Sequence, residues 1–199
     1  MNGNLVREGY NKVVERYSSQ RDKFKGNKYL EEFTKLLKPD SKVLDIGCGS
    51  GIPIDKYLIS KDFKIIGIDI SRKQIDLARK NNPQASYEVK DMSDLQYGEY
   101  NVDAAISFYS IFHIPREQHR ELFKKINSFL PVGGSILVTM GAAEWEGFEE
   151  DFHGTKMWWS HYGPKKNRKI IENVGFEVIL DEIDEKEGEK HQIIIAKKL

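Results

Sequence analysis

The spacing of hydrophobic residues changes repeatedly along the chain, and these changes predict alternating strands and helices. Five short apolar runs, each closed by turn-forming or polar residues, are typical of buried strands: 43–46, 63–68, 85–89, 101–107 and 135–140. Helical spacing is found at 53–60, 72–81, 117–129 and 164–174. Strands that alternate with helices favour an α/β fold built on a parallel sheet.

Both ends of the chain add elements to this pattern. Two helices are predicted before the first strand, at about 5–19 and 27–37. Two late apolar stretches, 175–181 and 189–197, predict a pair of strands joined by an acidic turn at 182–188. The spacing of the acids matches no metal-binding loop, so we expect a solvated turn and no metal site.

The segment 141–164 has the least regular pattern and the most aromatic residues. It lies after the fifth strand, and ligands of parallel sheets bind at the carboxyl ends of the strands. We therefore expect a lid over the substrate, and the alternative is a small satellite core beneath a loop. The expected organisation is a single domain over 1–199, with N-terminal helices in 1–38 and the lid as an insert.

The first strand leads into three glycines that alternate with other residues. The stretch 45–51 reads D-I-G-C-G-S-G, and Pro53 stands where a helix can begin. Because glycine has no Cβ, the backbone can bend sharply there and a ligand can approach it closely. A strand, a glycine loop and a helix N-terminus together form a site of nucleotide size.

Two acidic residues near this loop indicate which chemical groups a ligand should carry. Asp45 lies so close to the glycines that it would repel a pyrophosphate, but it could help to hold an ammonium group. Asp69 ends the next strand, where a carboxylate accepts hydrogen bonds from a ribose diol. The alternative for Asp69 is that it caps the following helix, a role that Ser71 could also take.

Three tracts resemble motifs of the class I S-adenosylmethionine-dependent methyltransferases, and we expect a member of the small-molecule type. D-I-G-C-G-S-G is similar to the first family motif, G-I-D-I-S to the second, and L-P-V-G-G-S-I-L-V to the turn before the fifth strand. The resemblance implies an α/β, Rossmann-like fold: a seven-stranded, mostly parallel sheet with helices on both faces and an antiparallel C-terminal hairpin. It also implies S-adenosyl-L-methionine as cofactor and S-adenosyl-L-homocysteine as product.

Several residues are expected to contact this cofactor. The resemblance assigns Asp91 to the adenine amino group and Met92 to the face of the base, with a solvated loop aspartate as the alternative. Tyr10 and Tyr17 share one face of the first helix and either cover the cofactor or simply pack. The full set of expected cofactor residues is Tyr10, Tyr17, Asp45, Gly47, Cys48, Gly49, Asp69, Ile70, Asp91, Met92 and Ser107.

The chemistry of the acceptor is indicated mainly by the residues at the end of the fourth strand and just beyond it. The motifs by which family members methylate base amino groups or C5 of pyrimidines are absent from Ser107-Phe108-Tyr109-Ser110. A histidine at the place of His113 recurs in small-molecule members, so His113 is the first candidate for proton removal, and a structural role is the alternative. His161 is the second catalytic candidate. The aromatic residues expected to contact the substrate are Phe108, Tyr109, Trp145, Trp158, Trp159 and Tyr162.

Composition supports a small-molecule substrate. The chain has 31 acidic and 31 basic residues, and this balance indicates neither a nucleic-acid nor a membrane partner. Cys48 is the only cysteine, and neither a secretory signal nor a membrane span is seen, so we expect a cytoplasmic monomer or homodimer. The alternatives are a quinone or lipid ring methyltransferase, a cofactor-binding protein without turnover and, less favoured, a nicotinamide-dependent oxidoreductase.

Overall fold

A computed structural model describes residues 2–21, 28–186 and 189–199, with side chains at 3–13, 28–185 and 189–199. Its helices are α1 Asn2–Arg21, α2 Lys28–Thr34, α3 Ile54–Ile59, α4 Arg72–Asn81, α5 His119–Phe129 and α6 Pro164–Glu172. Its strands are β1 Lys42–Ile46, β2 Lys64–Asp69, β3 Ser86–Val89, β4 Ala104–Ser107, β5 Ser135–Gly141, β6 Trp145–Phe152, β7 Thr155–His161, β8 Phe176–Lys186 and β9 Glu189–Lys198. Within these described ranges, none of the helices has both the length and the apolar character needed to cross a bilayer.

Seven strands form one twisted sheet in the order β3-β2-β1-β4-β5-β9-β8. The first five strands in this order are parallel to one another. Strand β9 is antiparallel to both β5 and β8. The predicted fold class is therefore confirmed, including the last strand inserted beside the fifth. Because β1 has β2 on one side and β4 on the other, the strand order reverses there and opens a crevice at the carboxyl ends.

Helices cover both faces of this sheet, and the alternation of side chains along β1 shows how. Val43 packs in a core that includes residues of α2 and α3. Leu44 and Ile46 point to the opposite face and pack in a core that includes residues of α5 and α6. Since successive strand residues face opposite sides, both faces of this central strand are apolar.

The segment 141–164 is more regular than predicted, because β6 and β7 pair as an antiparallel hairpin. His153 and Gly154 form its tip with φ angles of 52° and 89°, and a two-residue turn of this kind requires positive φ at both positions. The sequence pattern missed the hairpin because almost every residue of β6 is exposed, so the strand has no apolar alternation. The expected acidic turn was also placed wrongly: most of 182–188 continues β8, up to Lys186, in register with β9.

A buried amide ties the end of this hairpin to the main sheet. The Nδ2 atom of Asn167 lies 3.0 Å from the carbonyl oxygens of Gly141 and Tyr162 and from Oε1 of Gln192. Asn167 and Gln192 are both fully buried. Buried acceptors that lose their donor carry the full penalty of desolvation, so we expect this cluster to fix how 141–164 leaves and rejoins the sheet.

Replacing Asn167 by Ala tests this arrangement. The substitution should lower the free energy of unfolding by about 2 kcal/mol, because the buried carbonyl oxygen of Gly141 and Oε1 of Gln192 lose their donor. Urea denaturation of wild type and variant measures the difference. The exposed Asn101→Ala is the matched control and should change stability by less than about 0.5 kcal/mol. Equal effects of the two substitutions would contradict the proposed tie.

Candidate active site

The loop after β1 has a backbone that only glycine tolerates at two of its positions. Gly47, Gly49 and Gly51 have φ angles of 79°, 55° and 70°. A Cβ on Gly47 would lie 2.3 Å from Cβ of Ser110, and one on Gly51 would lie 2.5 Å from Nδ2 of Asn82. Both positions are thus closed to other residues by conformation and by space.

The loop is held from behind by side chains of α4 and α3. Asn81 and Asn82 donate to the carbonyl oxygens of Ser50 and Gly51, each over 2.9 Å. Asp45 and Asp55, both buried, are hydrogen-bonded to each other, and burial raises the pKa of Asp55. Asp45 is therefore positioned behind the loop and is absent from the cavity lining, so its expected role in holding an ammonium group, directly or through water, stays a prediction.

A cavity of about 980 Å³ opens in front of the loop, at the carboxyl ends of β1, β2 and β4. Of the expected site residues, it is lined by Tyr10, Gly47, Cys48, Gly49, Asp69, Ile70, Asp91, Met92, Phe108, Tyr109 and His113. Further lining residues were not predicted from the sequence, among them Arg7, Asn11, Arg72, Gln74 and Ser110. Ser110 carried the only available signal, since it lies three residues beyond the end of the fourth strand.

Asp69 connects the glycine loop to the start of α4. Its Oδ2 accepts from the backbone N–H of Gly49 over 2.9 Å, and its Oδ1 accepts from the N–H of Ser71 over 2.8 Å. Ser71 itself caps the helix by accepting from the N–H of Gln74. Burial raises the pKa of Asp69 to about 6, against the lowering effect of the two backbone hydrogen bonds. Asp69 thus lies at the cavity wall and is not the cap.

The first helix covers this cavity through contacts with three different elements. Oδ1 of Asn11 accepts from the hydroxyl of Ser71 over 2.6 Å. A Cβ on Gly9 would lie 2.8 Å from Cε of Met157, so α1 approaches β7 closely at this glycine. The Tyr10 hydroxyl lies 2.7 Å from Nε2 of His113. The side chain of Tyr17, the other expected tyrosine, falls outside the described residues.

The hydrogen bonds of His113 define where its proton lies. Nδ1 is 2.9 Å from the carbonyl oxygen of Trp158, and a carbonyl only accepts, so Nδ1 carries the proton. Burial lowers the pKa of His113 to about 4, so the ring is neutral at pH 7 and Nε2 is an acceptor. The Tyr10 hydroxyl therefore donates to His113. The two side chains form a fixed pair beside the glycine loop.

The remaining expected site residues lie away from this cavity. Ser107 is buried beneath the loop and donates to the carbonyl oxygen of Ile46 over 2.8 Å. Trp158 is buried, Trp145 is 43% exposed on the hairpin, and Tyr162 lies against Arg116. His161 and Trp159 line a second, smaller cavity beside the end of β5.

Comparisons with known proteins agree with this site. A family model described as a methyltransferase domain matches residues 43–134, which contain the glycine loop and Asp69. Over these residues the chain carries a methyltransferase domain. The methyltransferase identified from the sequence motifs is thus confirmed, and its small-molecule acceptor stays a prediction.

Individual relatives differ in what their names describe. The chain is 34% identical over 143 residues to a mouse tRNA (carboxymethyluridine(34)-5-O)-methyltransferase, an alignment that covers 71% of this chain and 20% of the relative. It is 33% identical over 116 residues to phosphoethanolamine N-methyltransferase 3 of Arabidopsis thaliana, covering 55% of this chain and 23% of the relative. The chain spans between a fifth and about half of the length of the first curated relatives that it matches.

A solved structure shows the same fold. Magnesium protoporphyrin IX methyltransferase from Synechocystis PCC 6803, determined with bound S-adenosylmethionine, superposes with a TM-score of 0.74 at 17% identity, over 100% of this chain and 98% of that chain. S-adenosylmethionine is the cofactor of the family, as expected. The cavity of this methyltransferase fits such a group, because the glycine loop and the carboxylates of Asp69 and Asp91 lie in its wall.

Adding one methyl group to the loop tests whether its shape matters for binding. Gly47→Ala should weaken S-adenosylmethionine binding at least tenfold, because the new Cβ displaces Ser110 or the loop itself. Gly98→Ala is the matched control: its φ is also positive, at 66°, but no atom lies within 4 Å of the added Cβ. Calorimetric titration measures both, and equal affinities would contradict the loop's role.

The state of His113 is open to direct observation. Long-range ¹H–¹⁵N spectra at pH 6 should show a neutral ring with the proton on Nδ1, because burial lowers the pKa of His113 to about 4. Since the unfolded pKa is 6.5, this histidine stabilises the fold fully above pH 6.5, and its contribution is lost as the pH falls toward 4. A ring that is protonated at pH 6 would refute the assignment.

Proposed function

We propose that this chain transfers a methyl group from S-adenosylmethionine to a small-molecule acceptor. The observation that carries the proposal is the Tyr10–His113 pair, which lines the same cavity as the glycine loop. A cavity with both a nucleoside-sized cradle and a fixed proton acceptor is suited to catalysis, whereas a cofactor sensor would need only the cradle. The roles of individual residues are part of the same proposal.

The cofactor residues divide by the part of S-adenosylmethionine that they would hold. Gly47, Cys48 and Gly49 would contact the adenosyl group through their backbone, and Asp69 with Ile70 would hold the ribose. Asp91 and Met92 would contact the adenine, since a carboxylate accepts from its amino group. All seven line the cavity wall. The cofactor supplies an activated methyl group on a positively charged sulfur.

The protein's part in the reaction is alignment, exclusion of water and control of a proton. The first helix closes the cavity, and the rings of Tyr10 and Phe108 in its wall can face a cation without reacting with it. Tyr10 has its own proton directed to His113, so its oxygen acts as a hydrogen-bond acceptor towards an acceptor O–H or N–H. Burial lowers the pKa of His113 to about 4, so the ring is the free base at pH 7 and its Nε2 can accept the proton that the acceptor loses through Tyr10.

A small molecule is favoured over a nucleic acid by the charge of the protein. Its net charge is zero, so long-range attraction to a phosphate backbone is weak. The name of the Arabidopsis relative describes a small-molecule acceptor. We propose that the β6–β7 hairpin of 141–164 lies on the acceptor side as a lid, that the chain is one domain, and that it works in the cytoplasm as a monomer or homodimer.

Transfer RNA is the second candidate acceptor, because the mouse relative, 34% identical, is named for it. The two functions separate in one assay, which measures formation of S-adenosylhomocysteine. Small amines, hydroxylated rings and aromatic acids form one panel, and transfer RNA transcripts form the other. Turnover with a small molecule supports the proposal, and turnover with transfer RNA alone would replace it. Binding of S-adenosylmethionine without turnover in either panel would indicate a non-catalytic binding protein.

Substituting either member of the pair tests its chemical role. Tyr10→Phe and His113→Gln should each lower kcat about 100-fold, the usual scale of acid–base contributions, because the acceptor loses its proton path. Affinity for S-adenosylmethionine, measured by calorimetry, should stay within about threefold of wild type if the cradle is intact. The surface variant Tyr97→Phe, which loses a hydroxyl bonded to Glu121, is the matched control and should retain activity. Unchanged kcat in Tyr10→Phe would remove the pair from the mechanism.

A further inference from the structure

A second cavity, of about 200 Å³, lies beside the carboxyl end of β5. Its wall includes Phe112, Gly141, Trp159, His161, Lys190 and His191. The volume is several times that of a water molecule and suits one small ring with a polar substituent. The space exists because three consecutive wall residues, Gly141, Ala142 and Ala143, have small side chains or none.

Aromatic rings form much of the wall, with Phe112 at their centre. Its ring centroid is 5.2 Å from that of Trp159, 5.8 Å from that of His191 and 6.3 Å from that of His161. The backbone of Gly141 allows this closeness, because a Cβ there would lie 2.0 Å from Nδ1 of His161. These rings pack against one another and give the cavity an aromatic wall, on which an aromatic ligand ring can pack.

The two cavities differ in charge. The main cavity is lined by Asp69, Asp91 and Asp94 as well as by basic residues. Among the described residues that line the second cavity there is no carboxylate, and Lys190 and His191 supply its cationic or N–H groups. His161 adds a ring face: its Nδ1 lies 2.6 Å from the carbonyl oxygen of Ala143, and burial lowers its pKa.

Neighbouring acids do not remove this difference. Lys190 contacts Glu185 over 3.1 Å, but both side chains are about 60% exposed, and such pairs contribute roughly 0–1 kcal/mol. Lys190 can therefore turn towards a ligand in the cavity at little energetic cost.

One side chain connects the second cavity to the reaction site. Tyr109 lines the main cavity, and its ring lies edge-on to His191 at 4.8 Å. Its φ of 54° is unusual for a residue other than glycine and turns the chain sharply after β4. A ligand in the second cavity is thus separated from the main cavity by little more than this ring and that of Phe112.

We propose that the second cavity binds the flat, anionic end of the methyl acceptor, a ring that carries a carboxylate or phosphate group. That this ligand is the methyl acceptor rests on the proposed function. Its binding to the second cavity can be tested without cofactor and without turnover. Phe112 and Trp159 contact the ring, and Lys190 and His191 contact the oxyanion. The atom to be methylated then lies on the side of the second cavity where the ring of Tyr109 forms the boundary with the main cavity.

Titration with three probes tests the proposal: benzoate, phenyl phosphate and the neutral benzamide. Histidine ring resonances in ¹⁵N-labelled protein should shift in a saturable way for His161 and His191 with the two anions, while His153 on the hairpin tip stays unchanged. Binding of benzoate should weaken at least tenfold in Lys190→Gln, whereas the weak binding of benzamide should not change. Lys165→Gln, an exposed lysine on α6, is the matched control and should bind benzoate like wild type.

A space-filling variant tests location independently of charge. Ala142→Leu should abolish the shifts with all three probes, because the larger side chain occupies the cavity while leaving Lys190 and His191 in place. Benzoate binding that is unaffected by Lys190→Gln or by Ala142→Leu would overturn the proposal, as would equal shifts at His153. Titration of the same samples with S-adenosylmethionine keeps the two claims apart, since that affinity should be normal in every one of these variants.

Discussion

The sharp bend after β1 is the constraint on which the site depends. Three alternating glycines with positive φ make the turn, and Ser110 on one side and Asn82 on the other leave no space for a larger residue at Gly47 or Gly51. Asp69 then joins the bend to the next strand through the N–H of Gly49. Because these contacts link β1, β2, the end of β4 and α4, the cradle is as rigid as the sheet itself.

Burial gives the polar groups around this bend different states. Behind it, the raised pKa of Asp55 means that this carboxyl gains a proton more readily beside Asp45. In front of it, the same effect keeps His113 neutral and fixes its proton on the Trp158 side. The covering helix can then present Tyr10 to the cavity with its hydroxyl already oriented. Burial at this site thus excludes water and also fixes the position of the His113 proton.

Local pattern was enough to predict the sheet, the glycine loop and the part of the cavity wall that the strand ends provide, because strand ends and glycines are visible in the sequence. It failed where contacts join distant segments. Tyr10 and His113 were separate candidates. Their hydrogen bond could not be predicted, because they are 103 positions apart in the sequence. Asp45 shares the face of Val43, on which α3 packs, as the alternation of side chains along a strand predicts.

The polar hairpin and the second cavity could not be predicted from the sequence for a different reason. Strand β6 has no buried face that would produce a period of two, so only the tip residues His153 and Gly154 marked it. The second cavity is assembled from the ends of β5 and β7, the start of β9 and the turn after β4. No single stretch of sequence carries such a site, and only the packed fold reveals it.

A crystal structure grown with S-adenosylhomocysteine tests the central claim most directly. Density for the adenosyl group is expected along the loop at Gly47 and Gly49, with both ribose hydroxyls within hydrogen-bonding distance of Asp69. Density elsewhere, or a crevice filled by side chains at saturating ligand, would contradict the claim.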